Sequence, residues 1–129
     1  MKKKLFAVLA SAVVLVLVSR PVFAHHAGVL YDKEHPVTVT GTVTEFRMTN
    51  PHAQIHFEVR DENGNVEKYV AETAGPQRLL RLGWNKTTLK AGDKITVTGA
   101  PFKDCRKILS IGRLTGGNAP VLTVGADEK

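Results

Sequence analysis

One cysteine, Cys105, stands alone in 129 residues, so no internal disulfide can form even in an oxidising compartment. It is read first as a small, semi-buried packing residue; pairing with another chain or binding a soft metal are the alternatives. Aromatics are also few, five Phe, two Tyr and one Trp. No stripe of them is interleaved with basic neighbours, which disfavours a nucleic-acid platform. No serine lies in a nucleophile turn and no carboxylate pair sits at a defined spacing. Cys105 is 49 residues from the nearest histidine. The chain therefore reads as a binding protein, not an enzyme.

Long hydrophobic runs are limited to one. Lys2, Lys3 and Lys4 precede an apolar and small-residue stretch from Leu5 to Val18, followed by "SRPVFA" with Pro21 as helix breaker and Val22 and Ala24 framing a cleavage site. As a helix the run spans roughly 21 Å, short of the ~30 Å hydrocarbon core. Residues 1–24 are expected to be a cleaved secretory signal, with the mature chain starting at His25 in the periplasm or outside the cell and not embedded in the membrane. Lys2, Lys3, Lys4 and Arg20 would leave with the signal. The 18 basic residues then fall to 14 against an unchanged 12 acidic, a net of +2. The high sequence pI belongs mostly to the signal and argues poorly for nucleic acid.

What remains has the length of one domain, 25–129, able to bury a modest core. "PVTVTGTVTEFRM" alternates strictly, Val37, Val39 and Val43 on one face and threonines on the other, until Phe46 and Met48 fall on the threonine side. A bulge or a sharp coil between residues 43 and 46 would return both sets to the core. "TNP" is a turn. "HAQIHFEVR" alternates again, with Ala53, Ile55, Phe57 and Val59 inward. "DENGN" signals a hairpin, and "VEKYVAE" makes a third strand. Pro76 opens a short helix with Leu79, Leu80 and Leu82 as its apolar side and Gly83 as its stop. "KITVTGAP" and "RKILSIGRL" are the fourth and fifth strands. "VLTV" is a short extra strand, within a loosely attached tail over 115–129. Trp84 is expected to plug the barrel. The fold class is all-β with one short helix, a small OB-like five-stranded barrel; another small antiparallel barrel or sandwich is the alternative.

"HHAGVLYD", "GTVTEFRMTNPH", "VAET", "LLRLGW", "LKAGDKITVTGAP" and "ILSI", in this order, resemble a family of small exported proteobacterial proteins called domain of unknown function 6152. The resemblance spans nearly the whole mature chain and implies export and fold, but no reaction. The His pair and His52 of "NPH" match family positions, and Glu72 matches a further one. The family often has serine and an aromatic where Ala27 and Gly28 stand, and usually glycine near Cys105.

All five histidines, His25, His26, His35, His52 and His56, fall between residues 25 and 56, and imidazole is the commonest transition-metal ligand. A free α-amine on His25, its ring, His26 and His52 would form a nitrogen-rich set favouring copper. The plainer reading of His25 and His26 is a polar tail. On a regular strand His56 stands ~13 Å from His52 and cannot share its ion; it reads as a solvated face residue, and His35 as part of the lead-in loop. Met48 is a core gap-filler or a soft ligand for cuprous ion. Thr73, Ala74 and Gly75 could offer backbone donors to an anion. Glu72 either serves the helix start or faces a ligand. A small organic or glycan ligand, or a protein partner, held by Asn50, Gln54 and Glu72 around the Asn50–His52 loop, is the alternative to the metal.

Overall fold

Strand β1 (Val37–Arg47) is the longest element and is shared between two neighbours, pairing antiparallel with β2 (Gln54–Arg60) through its second half and with β4 (Lys94–Pro101) through its first. The computed structural model describes residues 30–125. β2 continues antiparallel into β3 (Val66–Glu72), β4 into β5 (Ile108–Gly116), and β5 into the two-residue β6 (Leu122–Thr123). A parallel pairing of β3 with β5, Val70 opposite Ile108 and Glu72 opposite Ser110, closes the sheet on itself. Five strands closed in the order β1-β2-β3-β5-β4, with one short helix between β3 and β4, make an OB barrel. No described helix is long and apolar enough to cross a membrane.

The parity change in β1 is a bulge. Val43 pairs with Phe57 but Glu45 pairs with His56, so Thr44 has no partner and the strand shifts by one residue. Val43 is buried before the bulge, while Phe46 and Met48 pack on the same core after it. Val37 departs from the expected inward set. It is 38% exposed, because its cross-strand neighbour Gly99 has no side chain to cover it.

The turn after β2 is built by Asp61, whose carboxylate accepts from the amides of Asn63 and Asn65 and from the Asn65 side chain. Those bonds, the side-chain one foremost, hold its carboxyl below the usual range. Helix α1 (Pro76–Arg81) starts on its proline, and Gly83 reverses the chain at φ +82°. Only Leu79 is buried; Leu80 is 58% exposed and Leu82 is exposed as well. A helix of six residues turns a single position toward the barrel, and the Trp84 amide bonds back to the Leu79 carbonyl. That places the indole in the core, edge-on to Phe46 with centroids 5.9 Å apart.

Residues 115–129 are not the loose tail that composition suggested, as far as residue 125. β5 runs to Gly116, and Leu122 of β6 is fully buried in the main core. Cys105 lies exposed in the β4–β5 connection beside the Asp104–Arg106 ion pair, and not semi-buried. Turn formation there leaves the thiol nothing to pack against.

Candidate functional site

Gln54, Glu72 and Ser110 sit opposite one another on β2, β3 and β5. Their neighbours Ala53, Ile55, Ala71, Leu109 and Ile111 are buried, so alternation turns this row away from the core. The lead segment crosses it. Tyr31 makes a bridge to Phe102, flanked by the Asp32 amide donating to the Pro101 carbonyl and the Lys103 amide donating to the Leu30 carbonyl. The Tyr31 ring lies buried, edge-on to Phe102. Its hydroxyl donates to Glu72 Oε2 at 2.6 Å, and Gln54 Nε2 donates to Oε1 at 3.0 Å. Each carboxylate oxygen is thus oriented by a separate donor. Burial, then the hydrogen bond to Glu72 and its charge, push the Tyr31 phenol well above its ordinary range; the Arg106 charge opposes them weakly.

A cleft of about 290 Å³ opens beside this row, lined by Tyr31, Lys33, His52, Glu72, Thr73 and Arg78 among others. His52, in the β1–β2 connection, brings Nδ1 to 3.1 Å from the Thr73 carbonyl. A carbonyl only accepts, so Nδ1 carries a proton, and in the neutral ring the lone pair is on Nε2. The Thr73 hydroxyl has no partner although the residue is only 5% exposed.

Three of the candidate residues, His52, Gln54 and Glu72, therefore come together. Asn50 does not line the cleft; it is exposed beside its cis peptide to Pro51. His25 and His26 lie outside the described residues. Glu72 does not serve the helix start, where no side chain caps α1, because Tyr31 and Gln54 hold it. Nor is the Thr73 amide free for an anion as expected, because it bonds to the Ala53 carbonyl. His56 is no solvated face residue. It is half-buried opposite Glu45, and its Nε2 is hidden from solvent without a partner. His35 is exposed and pairs at 3.0 Å with Asp32, whose carboxyl that bond holds low. Met48 lines a different groove, with Pro76 and Leu80. Among the described residues no three His, Cys, Asp or Glu converge on one point.

Sequence reasoning missed Tyr31, Lys33, Arg78 and Arg113. Tyr31 was visible only as part of the "HHAGVLYD" motif, and the three cations carried no local signal.

The profile of a family of unknown function, DUF6152, matches residues 12–109. No curated protein matches the chain. Among solved structures, the N-terminal domain of PriB from Thermoanaerobacter tencongensis is similar at 19% identity and a TM-score of 0.45, over 66% of this chain and 98% of that one. The small single-stranded DNA-binding protein from Streptomyces coelicolor is similar at 13% identity and a TM-score of 0.41, over 67% and 94%. The ZRD-deleted mutant of TiaS in complex with agmatine is similar at 18% identity and a TM-score of 0.44, over 74% of this chain but 24% of that one. These likenesses are too distant to lend a ligand, and the fold assignment rests on the strand order itself.

Proposed function

The chain belongs to the DUF6152 family, and on that footing we propose that it is an exported binding module which holds copper, or another transition metal, where the mature amino terminus meets the His52 cleft. The observation that carries this reading is the state of His52. A metal-binding imidazole characteristically donates its other ring N–H to a carbonyl or carboxylate, which fixes ring orientation and raises ligand basicity. His52 does so toward Thr73. Glu72, lining the same cleft, is oriented by two donors in the way ligating carboxylates are.

Chain length permits the rest of the set to arrive. His26 precedes Tyr31 by five residues, a reach of at most about 18 Å when extended, and Tyr31 already lies in the cleft. The α-amine and ring of His25 with the rings of His26 and His52 are nitrogen donors, which suit cupric ion by the Irving–Williams order. Copper(II) titration of protein beginning at His25, against protein with one glycine added before it, tests the reading. The added residue keeps every ring but moves the amine out of its chelate. Affinity should fall at least about tenfold, ~1.4 kcal/mol, and His52→Ala should also weaken binding while Asn50→Ala does not. Equal affinity with and without the glycine would remove the amino-terminal site.

A further inference from the structure

The cleft adjoins a second lobe of about 440 Å³ that shares Lys33, Arg78 and Ser110 with it. This lobe is lined by three cations from three separate elements: Lys33 of the lead segment, Arg78 of α1 and Arg113 of β5. Among the described residues no carboxylate lines this lobe, although Lys33 and Arg78 also line the first lobe, with Glu72. The ion pairs among the described residues are His35–Asp32, Arg47–Glu45, Arg106–Asp104 and Lys107–Glu67, so none of the three cations is in a direct ion pair there. Elsewhere on the barrel, Arg60 and Lys94 share their groove with Glu58. A concave surface of one sign with low-dielectric walls concentrates the opposite charge. Guanidinium groups in particular hold planar carboxylates and phosphates through paired hydrogen bonds.

A second observation concerns Thr73, which lines the first lobe. The Thr73 hydroxyl is buried and has no partner. Buried polar atoms in native proteins are almost always satisfied, by protein, water or ligand. Glu72, next to it, presents acceptor oxygens. The joined lobes thus offer positive charge from Lys33, Arg78 and Arg113 together with a hydroxyl and a carboxylate suited to hydroxyl groups.

We propose that the joined lobes bind a small hydroxylated organic anion, with its carboxylate or phosphate held by Lys33, Arg78 and Arg113 and a hydroxyl reaching Thr73 and Glu72. The anion-holding part does not rest on the metal reading, because none of the three cations is a metal ligand, although Glu72 lines both sites.

Calorimetric titration in metal-free, low-salt buffer tests it. The probes are citrate, tricarballylate (citrate without its hydroxyl) and glycerol 3-phosphate, which separate carboxylate from phosphate and hydroxyl from none. Citrate or glycerol 3-phosphate should bind one to one. Arg78→Gln and Arg113→Gln should each weaken binding at least about tenfold. Arg81→Gln, in the same last helical turn but outside the lobe, should not. Thr73→Val keeps the side-chain shape and removes the unpartnered hydroxyl, so the fold should persist while any preference for citrate over tricarballylate disappears. A glycine before His25 should leave anion binding unchanged, which separates this result from the copper test. The proposal is overturned if none of the probes binds at millimolar concentration, or if Arg81→Gln weakens binding as much as Arg78→Gln. Binding of an oligothymidylate in place of the small anions, with the same arginine dependence, would also overturn it. So would anion binding seen only after Asp127→Asn and Glu128→Gln, since the lobe would then belong to the chain's own acidic end.

Discussion

The Tyr31 hydroxyl meets the Glu72 carboxylate at 2.6 Å across 41 residues of sequence. That bond ties the lead segment to the seam where β3 and β5 close the barrel. It also sets the orientation of the acid in the cleft. A hydrogen bond to a charged group contributes about 1.5–3 kcal/mol, so Tyr31→Phe, which keeps the buried ring, should lower stability by that amount in urea unfolding. Glu72→Gln should cost less than the loss of both donors together, because an amide oxygen still accepts. A Tyr31→Phe protein as stable as the parent would show that the bond only decorates the surface.

The same phenol makes stability depend on alkaline pH. Its native pKa is raised above the unfolded value near 10. Below that value both states keep the proton and the contribution is whole. As pH climbs past it, the unfolded chain ionises while the native one does not, so stability declines toward the native value. Urea midpoints between pH 9 and 11 should therefore fall more steeply for the parent than for Tyr31→Phe. Parallel slopes would contradict the shift.

Gly99 is confined by the neighbouring strand. An added Cβ would lie 2.2 Å from the Ser110 carbonyl oxygen, a backbone atom that cannot swing aside, whereas at Gly112 it would lie 3.4 Å from the nearest atom, the Thr98 carbonyl oxygen. Gly99→Ala should cost about 1–3 kcal/mol or more through forced separation of β4 and β5, and Gly112→Ala distinctly less. Thermal melting of the two variants decides the matter.

Leu122 reports on the chain end. It is buried in the main core from a strand of only two residues, so Leu122→Ala should cost about 2–5 kcal/mol. The neighbouring exposed Val121 can be changed to Ala with little effect. Equal, small losses at both positions would return this segment to the status of a tail.

Processing is checked most simply. Amino-terminal sequencing of protein recovered after export should begin at His25, since Val22 and Ala24 frame that bond. A first residue of Met1 would remove the α-amine from the copper proposal and leave the anion proposal untouched.

Much of the barrel was legible because pleating is a local property. Alternation located Ile55, Phe57, Ile95 and Val97, and the break in parity after Val43 called for a bulge or a sharp coil before Phe46, which the strand register shows to be a bulge at Thr44. Turn chemistry located the Asp61 hairpin and the ends of the helix. Local pattern failed where burial depended on what stood opposite. Leu80 and Leu82 look like Leu79 in the sequence, yet only one position of a six-residue helix reaches the barrel. Val37 looks like Val39, yet it faces a glycine.

The candidate site divides along the same line. His52, Gln54 and Glu72 could be named from the residue types and the family resemblance. Their meeting with Tyr31 and Thr73, and the gathering of Lys33, Arg78 and Arg113, could not. Those contacts depend on the parallel closure of β3 on β5 and on the path of the lead segment over Phe102. Periodicity determines which side of a strand a residue occupies, because the backbone alternates every two residues. It says nothing about which distant strand lies alongside, and in this protein that neighbour decides what each side chain in the cleft can touch.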